Sequence, residues 1–118
     1  MPRILSSVLL LCAATATAGE ADVLAVEAIR TGDRVYRFEV TVRHADTGWD
    51  HYADRWEVLA PDETVLATRV LYHPHVDEQP FTRSLGGVEI PKPVTEVRIR
   101  ARDSVHGHGG AERVVPLD

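Results

Sequence analysis

Tyr36-Arg37-Phe38-Glu39-Val40-Thr41-Val42-Arg43 decides the fold. Apolar side chains stand at every second position, with Arg37, Glu39, Thr41 and Arg43 between them. Only a backbone whose side chains alternate between two faces can bury the first set while wetting the second. The stretch is therefore a half-buried strand. Val97, Ile99 and Ala101 repeat the pattern against Arg98, Arg100 and Arg102, three arginines that must face water and acidic neighbours on the same sheet.

Three further runs lie between these two: Tyr52 to Ala60 around Trp56 and Val58, Val65 to Tyr72, and Phe81 to Val88. Val23 to Ile29 leads the series and Arg113 to Leu117 closes it. The strands are separated by Thr31-Gly32-Asp33, Pro61-Asp62 and Pro91-Lys92-Pro93, compositions that stop a strand rather than continue it. Gly86-Gly87 reads as a bulge, and Gly107 to Gly110 as a loop. No stretch holds a period of 3.6 for ten residues. The pattern predicts an all-β fold, a seven-stranded antiparallel sandwich of immunoglobulin or fibronectin type with Trp56 in its core.

Residues 1–18 have the parts of a cleavable export signal. Arg3 lies in a short basic start, Ile4 to Ala14 are apolar, and Ala16-Thr17-Ala18 precede Gly19. Cleavage after Ala18 would leave residues 19–118 as one domain. The apolar run is shorter than the roughly 20 residues a membrane-spanning helix needs, so stable membrane insertion is not expected. Cys12 follows Leu10-Leu11, which raises lipid attachment as an alternative. A lipidated cysteine normally follows a small residue, and Leu11 is large, so soluble export to the periplasm or beyond is the expectation.

The whole chain carries 13 Lys or Arg against 18 Asp or Glu, a net charge of −5. Such a balance makes nucleic acid and anionic membrane surfaces poor partners. Cys12 is the single cysteine, so the processed chain has no disulfide, and apolar burial or a bound ion must stabilise it.

Six histidines carry the functional signal. His44 and His51 bracket the segment after the second strand, His73-Pro74-His75 follows the fourth, and His106-Gly107-His108 follows the sixth. Antiparallel strands reverse direction at every turn, so even-numbered connections emerge at one end of a sandwich. All six imidazoles are thus expected at one pole, and the other pole has none. His44 continues the inward series of the second strand and Asp103 that of the sixth, while Asp54 is expected on the face of Trp56 and Val58. A polar group entering the end of an apolar core requires a partner or an ion. The expected metal ligands are His44, His51, His73, His75, His106 and His108, with Asp46, Asp54, Glu78 and Asp103 orienting the rings from behind. Imidazole without thiolate suits copper(II) or zinc.

The segments His44-Ala45-Asp46-Thr47-Gly48-Trp49-Asp50-His51-Tyr52-Ala53-Asp54, His73 to Thr82, and His106 to Gly110 resemble an uncharacterised family of small exported bacterial proteins. In general plan the chain is also similar to periplasmic copper-resistance sandwiches, which are cysteine-free and use histidines. It departs from them in having Gly19-Glu20-Ala21, not a histidine, at the start of the processed chain. The expected function is a periplasmic or secreted metal-binding protein for carriage or buffering, not an enzyme. Its partners would be the ion and another periplasmic protein. The alternative is a metal-free docking or adhesion module anchored by Trp49, Tyr52 and Phe81. Taken alone, Trp49 beside Tyr52 reads either as an aromatic rim for a sugar or peptide or as a lid packed down on the sandwich end, and the lid is the expectation.

Overall fold

The computed structural model describes residues 19–118; the expected export signal and Cys12 lie outside the described residues. Seven strands follow in chain order: β1 (Asp22–Gly32), β2 (Val35–Arg43), β3 (Ala53–Leu59), β4 (Val65–Val70), β5 (Phe81–Glu89), β6 (Glu96–Asp103) and β7 (Arg113–Pro116). They form two antiparallel sheets, β1-β2-β5 and β4-β3-β6-β7. The described residues contain no helix. β4 pairs with β3 in the four-stranded sheet, whereas the fourth strand of a constant-type immunoglobulin domain joins the other sheet.

The core comes directly from the alternation. Tyr36, Phe38, Val40 and Val42 of β2 in one sheet and Trp56 and Val58 of β3 with Val97, Ile99 and Ala101 of β6 in the other form one buried cluster. Each such large apolar side chain contributes about 1.5–3 kcal/mol when withdrawn from water. On the outer face the three arginines of β6 meet carboxylates: Arg98 pairs with Glu112 at 3.0 Å, Arg100 with Glu57 at 2.8 Å, and Arg102 with Asp54 at 2.5 Å.

Two bulges adjust this frame. Val88 pairs with Tyr36 but Leu85 pairs with Phe38, so Gly86 and Gly87 form an extra step in β5, and Gly87 takes φ +66°. In β3 the register slips between Ala53 and Arg55. This second slip corrects the expectation for Asp54. Ala53 keeps the inward place opposite Asp103, and Asp54 turns to the outer face to pair with Arg102. A one-residue change of phase exchanges faces, because side chains alternate with period two.

Candidate metal centre

The connections after β2, β4 and β6 emerge together at one end of the sandwich. His44 is one residue past β2 and continues its inward series, so its ring enters the end of the core, 2% exposed. Asp103, last in the inward series of β6, is 0% exposed and lies opposite it. The β2–β3 loop folds back through an isolated bridge between Gly48 and His51, which returns the His51 ring to His44. The two rings meet edge to face, their centroids 4.7 Å apart.

Asp46 sets the chemistry of His44. Its Oδ1 lies 2.5 Å from His44 Nδ1 and also accepts from the Ala53 amide, while Oδ2 accepts from the His75 amide. With Nδ1 carrying the proton toward Asp46, the lone pair of the neutral ring resides on Nε2. That atom lies 3.2 Å from His51 Nε2, 3.1 Å from Asp103 Oδ2 and 3.1 Å from the Gly19 carbonyl oxygen. His51 Nε2 in turn lies 3.1 Å from the Gly19 oxygen and 3.4 Å from Asp103 Oδ2. His44, His51 and Asp103 each offer an atom within 4.8 Å of the others, a group able to hold a metal ion.

These separations have a physical meaning. Ligands about 2.0–2.1 Å from a tetrahedral zinc stand about 3.3 Å from one another. Five of the separations among His44 Nε2, His51 Nε2, Asp103 Oδ2 and Gly19 O run from 3.1 to 3.4 Å. In metal-free protein a proton on His51 Nε2 can bridge to Asp103 Oδ2; with both rings protonated on Nδ1 instead, all four atoms are acceptors, and bringing them together costs free energy unless a cation sits among them.

Asp103 is strongly held in its ionised form. Burial pushes its pKa up, but hydrogen bonds from the His106 amide and ring, the Val105 amide and His51 outweigh it and bring the value down to about 2. His106 borders the cluster: its Nδ1 is 3.0 Å from Asp103 Oδ2, and that hydrogen bond raises the pKa of the ring. Its ring also stands 4.9 Å from that of His51.

The other expected ligands go elsewhere. His75 stacks on Phe81 at 4.0 Å, and its Nε2 accepts from Arg83 at 3.0 Å; burial, then the Arg83 and His73 charges, lowers its pKa. His73 is exposed, 4.7 Å from the His75 ring. Glu78 pairs with Arg83 at 3.1 Å rather than with an imidazole. Beyond the turn at Gly107, φ +74°, His108 lies against the outer face with Nε2 3.1 Å from Glu57. Burial and Arg100 depress its pKa. Trp49 does not form a lid: it is 67% exposed and leans on Tyr52 at 5.6 Å.

An open groove of about 280 Å³ lies on a different surface, lined by Arg37, Glu39, Arg69, Thr82, Arg83 and Ser84. Its arginines are engaged with Glu39, Glu78, His75 and the carbonyls of Val70, Thr82 and Ser84. Among the described residues only Arg83 connects it to a histidine, His75, so the concave surface and the cluster of His44, His51 and Asp103 are separate features.

Gly19 was not among the expected site residues. A backbone carbonyl leaves no mark in a side-chain pattern, and the glycine itself was the available signal. It takes φ +90°, and a Cβ there would come within 2.8 Å of the His106 ring.

No family model matches the chain. No solved structure matches it, and none of the comparisons returns a copper-resistance protein. The chain is 44% identical over 101 residues to a protein of Halomicrobium mukohataei described as "Putative lipoprotein", a match covering 84% of this chain and 48% of that protein. The chain thus spans about half the length of the curated relative it matches.

Proposed function

We propose that the protein is exported and holds a divalent transition-metal ion at His44, His51 and Asp103, for carriage or buffering rather than turnover. One observation carries this reading: Asp46 orients the His44 ring so that its Nε2 stands beside His51 Nε2 and Asp103 Oδ2 at tetrahedral ligand spacings. The spacing favours zinc over copper(II), which prefers tetragonal sites. His44 and Asp103 are buried, His51 is partly so, and all three lie outside the open groove, an arrangement suited to retention rather than to substrate turnover. The lipoprotein description of the Halomicrobium relative supports an exported address.

Calorimetric titration of metal-free protein with Zn(II) and Cu(II) tests the reading. One equivalent of Zn(II) is expected to bind. At a hundredfold excess over Kd a ligand specific to the folded state adds about 2.7 kcal/mol, which raises the Tm of a domain of this size by about 10 °C or more. No uptake at micromolar metal would contradict it.

A second reading, a metal-free docking module, has its own observation. Trp49, Tyr72, Val76 and Val105 are exposed on the loops of the same pole. That reading predicts no metal uptake, and loss of partner binding on Trp49→Ala or Tyr72→Ala.

A further inference from the structure

Gly19 occupies an unusual place. Its carbonyl oxygen touches both His44 Nε2 and His51 Nε2 at 3.1 Å, and its α-carbon packs so close to His106 that a Cβ would come within 2.8 Å of that ring. The contact is built by the fold. The chain just after it is clamped to the β6–β7 connection: the Val23 amide donates to Ala111 O at 2.8 Å, and the Ala111 amide donates to Asp22 Oδ1 at 2.7 Å. Gly109 and Gly110 permit the approach, since a Cβ at either would collide with Glu20 or with the Ala21 carbonyl. Three glycines thus bring one particular residue against the imidazoles.

That residue is also the one expected to follow the export-signal cleavage point, Ala16-Thr17-Ala18. We infer that removal of the signal completes the metal site, with Gly19 supplying its carbonyl oxygen and its newly freed α-amino nitrogen as a chelate. This rests on the metal reading above and extends it. Hydrolysis of the Ala18–Gly19 peptide bond consumes one water and leaves a carboxylate on Ala18 and an ammonium on Gly19. The ammonium passes its proton to solvent when the nitrogen takes the ion. Nitrogen and carbonyl oxygen are three bonds apart, so together they close a five-membered ring on one ion. Before cleavage the nitrogen is an amide with its lone pair delocalised, and it is a poor ligand at neutral pH. Metal capture would therefore be weak in the precursor and strong after export.

Three chains test this: residues 19–118 beginning at Gly19, the same chain N-acetylated at Gly19, and residues 13–118 with the uncleaved Ala18–Gly19 bond. All seven strands lie within 19–118, and thermal melts of the metal-free proteins check that each is folded. Zn(II) and Cu(II) affinities are read by competition with a chromophoric chelator, and the Cu(II) spin-resonance spectrum is recorded with [15N]glycine-labelled protein. The free-amine chain is expected to bind at least tenfold tighter than the other two, and alone to show coupling from the labelled nitrogen. Equal affinities in all three, with binding lost in each on His44→Ala, would overturn the inference and leave the metal reading intact. No binding in any chain would overturn both. The intact mass of the exported protein is expected to begin at Gly19, and a lipid-bearing chain beginning at Cys12 would overturn the inference.

Discussion

At the end of the sandwich away from the imidazoles, three backbone carbonyls converge, and the chain supplies the positive charge they need. The Arg34 guanidinium donates to Ile90 O at 2.8 Å, Pro91 O at 2.5 Å and Val94 O at 2.7 Å. To aim it there, Arg34 takes a left-handed φ of 58°. At the histidine end nitrogen and oxygen atoms able to bind an ion also converge, those of His44, His51, Asp103 and Gly19. Here, among the described residues, every ion pair to Asp46 or Asp103 comes from an imidazole and none from an arginine or lysine. A guanidinium stays charged at all accessible pH, whereas an imidazole chooses between a proton and a metal. One pole is therefore permanently closed by its own cation, and the other is open to a cation from outside.

Removing His44 should separate the poles most strongly. His44→Ala is expected to weaken Zn(II) binding at least a hundredfold in a calorimetric titration. Because the buried Asp46 carboxylate loses its ring partner, it should also destabilise the metal-free protein by about 3 kcal/mol in urea. Asp46→Asn keeps the shape but loses the charge that orients the ring, and a loss of about 10- to 100-fold in Zn(II) affinity is expected. A change within twofold would mean that His44 needs no such orientation.

Arg34→Met probes the opposite pole. It strips three carbonyls of their donor and is expected to cost about 2 kcal/mol in urea denaturation, with Zn(II) affinity unchanged within twofold. A large loss of metal binding in this variant would show that the two ends are coupled.

Acid distinguishes the poles as well. The Asp103 pKa of about 2 lies below the usual carboxylate value of 3.8. The stabilisation it gives is full above pH 3.8 and is lost as pH falls through about 2, a total of about 2 kcal/mol. Melting temperatures of metal-free protein should fall across this window, and Asp103→Asn should flatten the fall. His106 has the opposite sign. Its raised pKa means that its contribution is present below pH 6.5 and lost as pH rises through the raised value.

The strands were legible because their alternation is strict. Phe38, Val40 and Val42 could face only inward, and the same parity carried His44 and Asp103 into the end of the core. Chain direction then gathered the β2–β3, β4–β5 and β6–β7 connections at one pole. What escaped the sequence depends on local backbone. The β3 bulge turned Asp54 outward, and the left-handed Gly107 sent His108 across the sheet to Glu57. Neither a register slip nor a positive φ appears in a polar and apolar pattern. Gly19 was missed because it acts through a carbonyl, which every residue has.

Crystals grown with Zn(II) and measured across the zinc absorption edge test the central claim most directly. The account predicts one anomalous peak about 2.0–2.2 Å from His44 Nε2, His51 Nε2 and an Asp103 oxygen. A peak at His73 and His75 with none at His44 would contradict it.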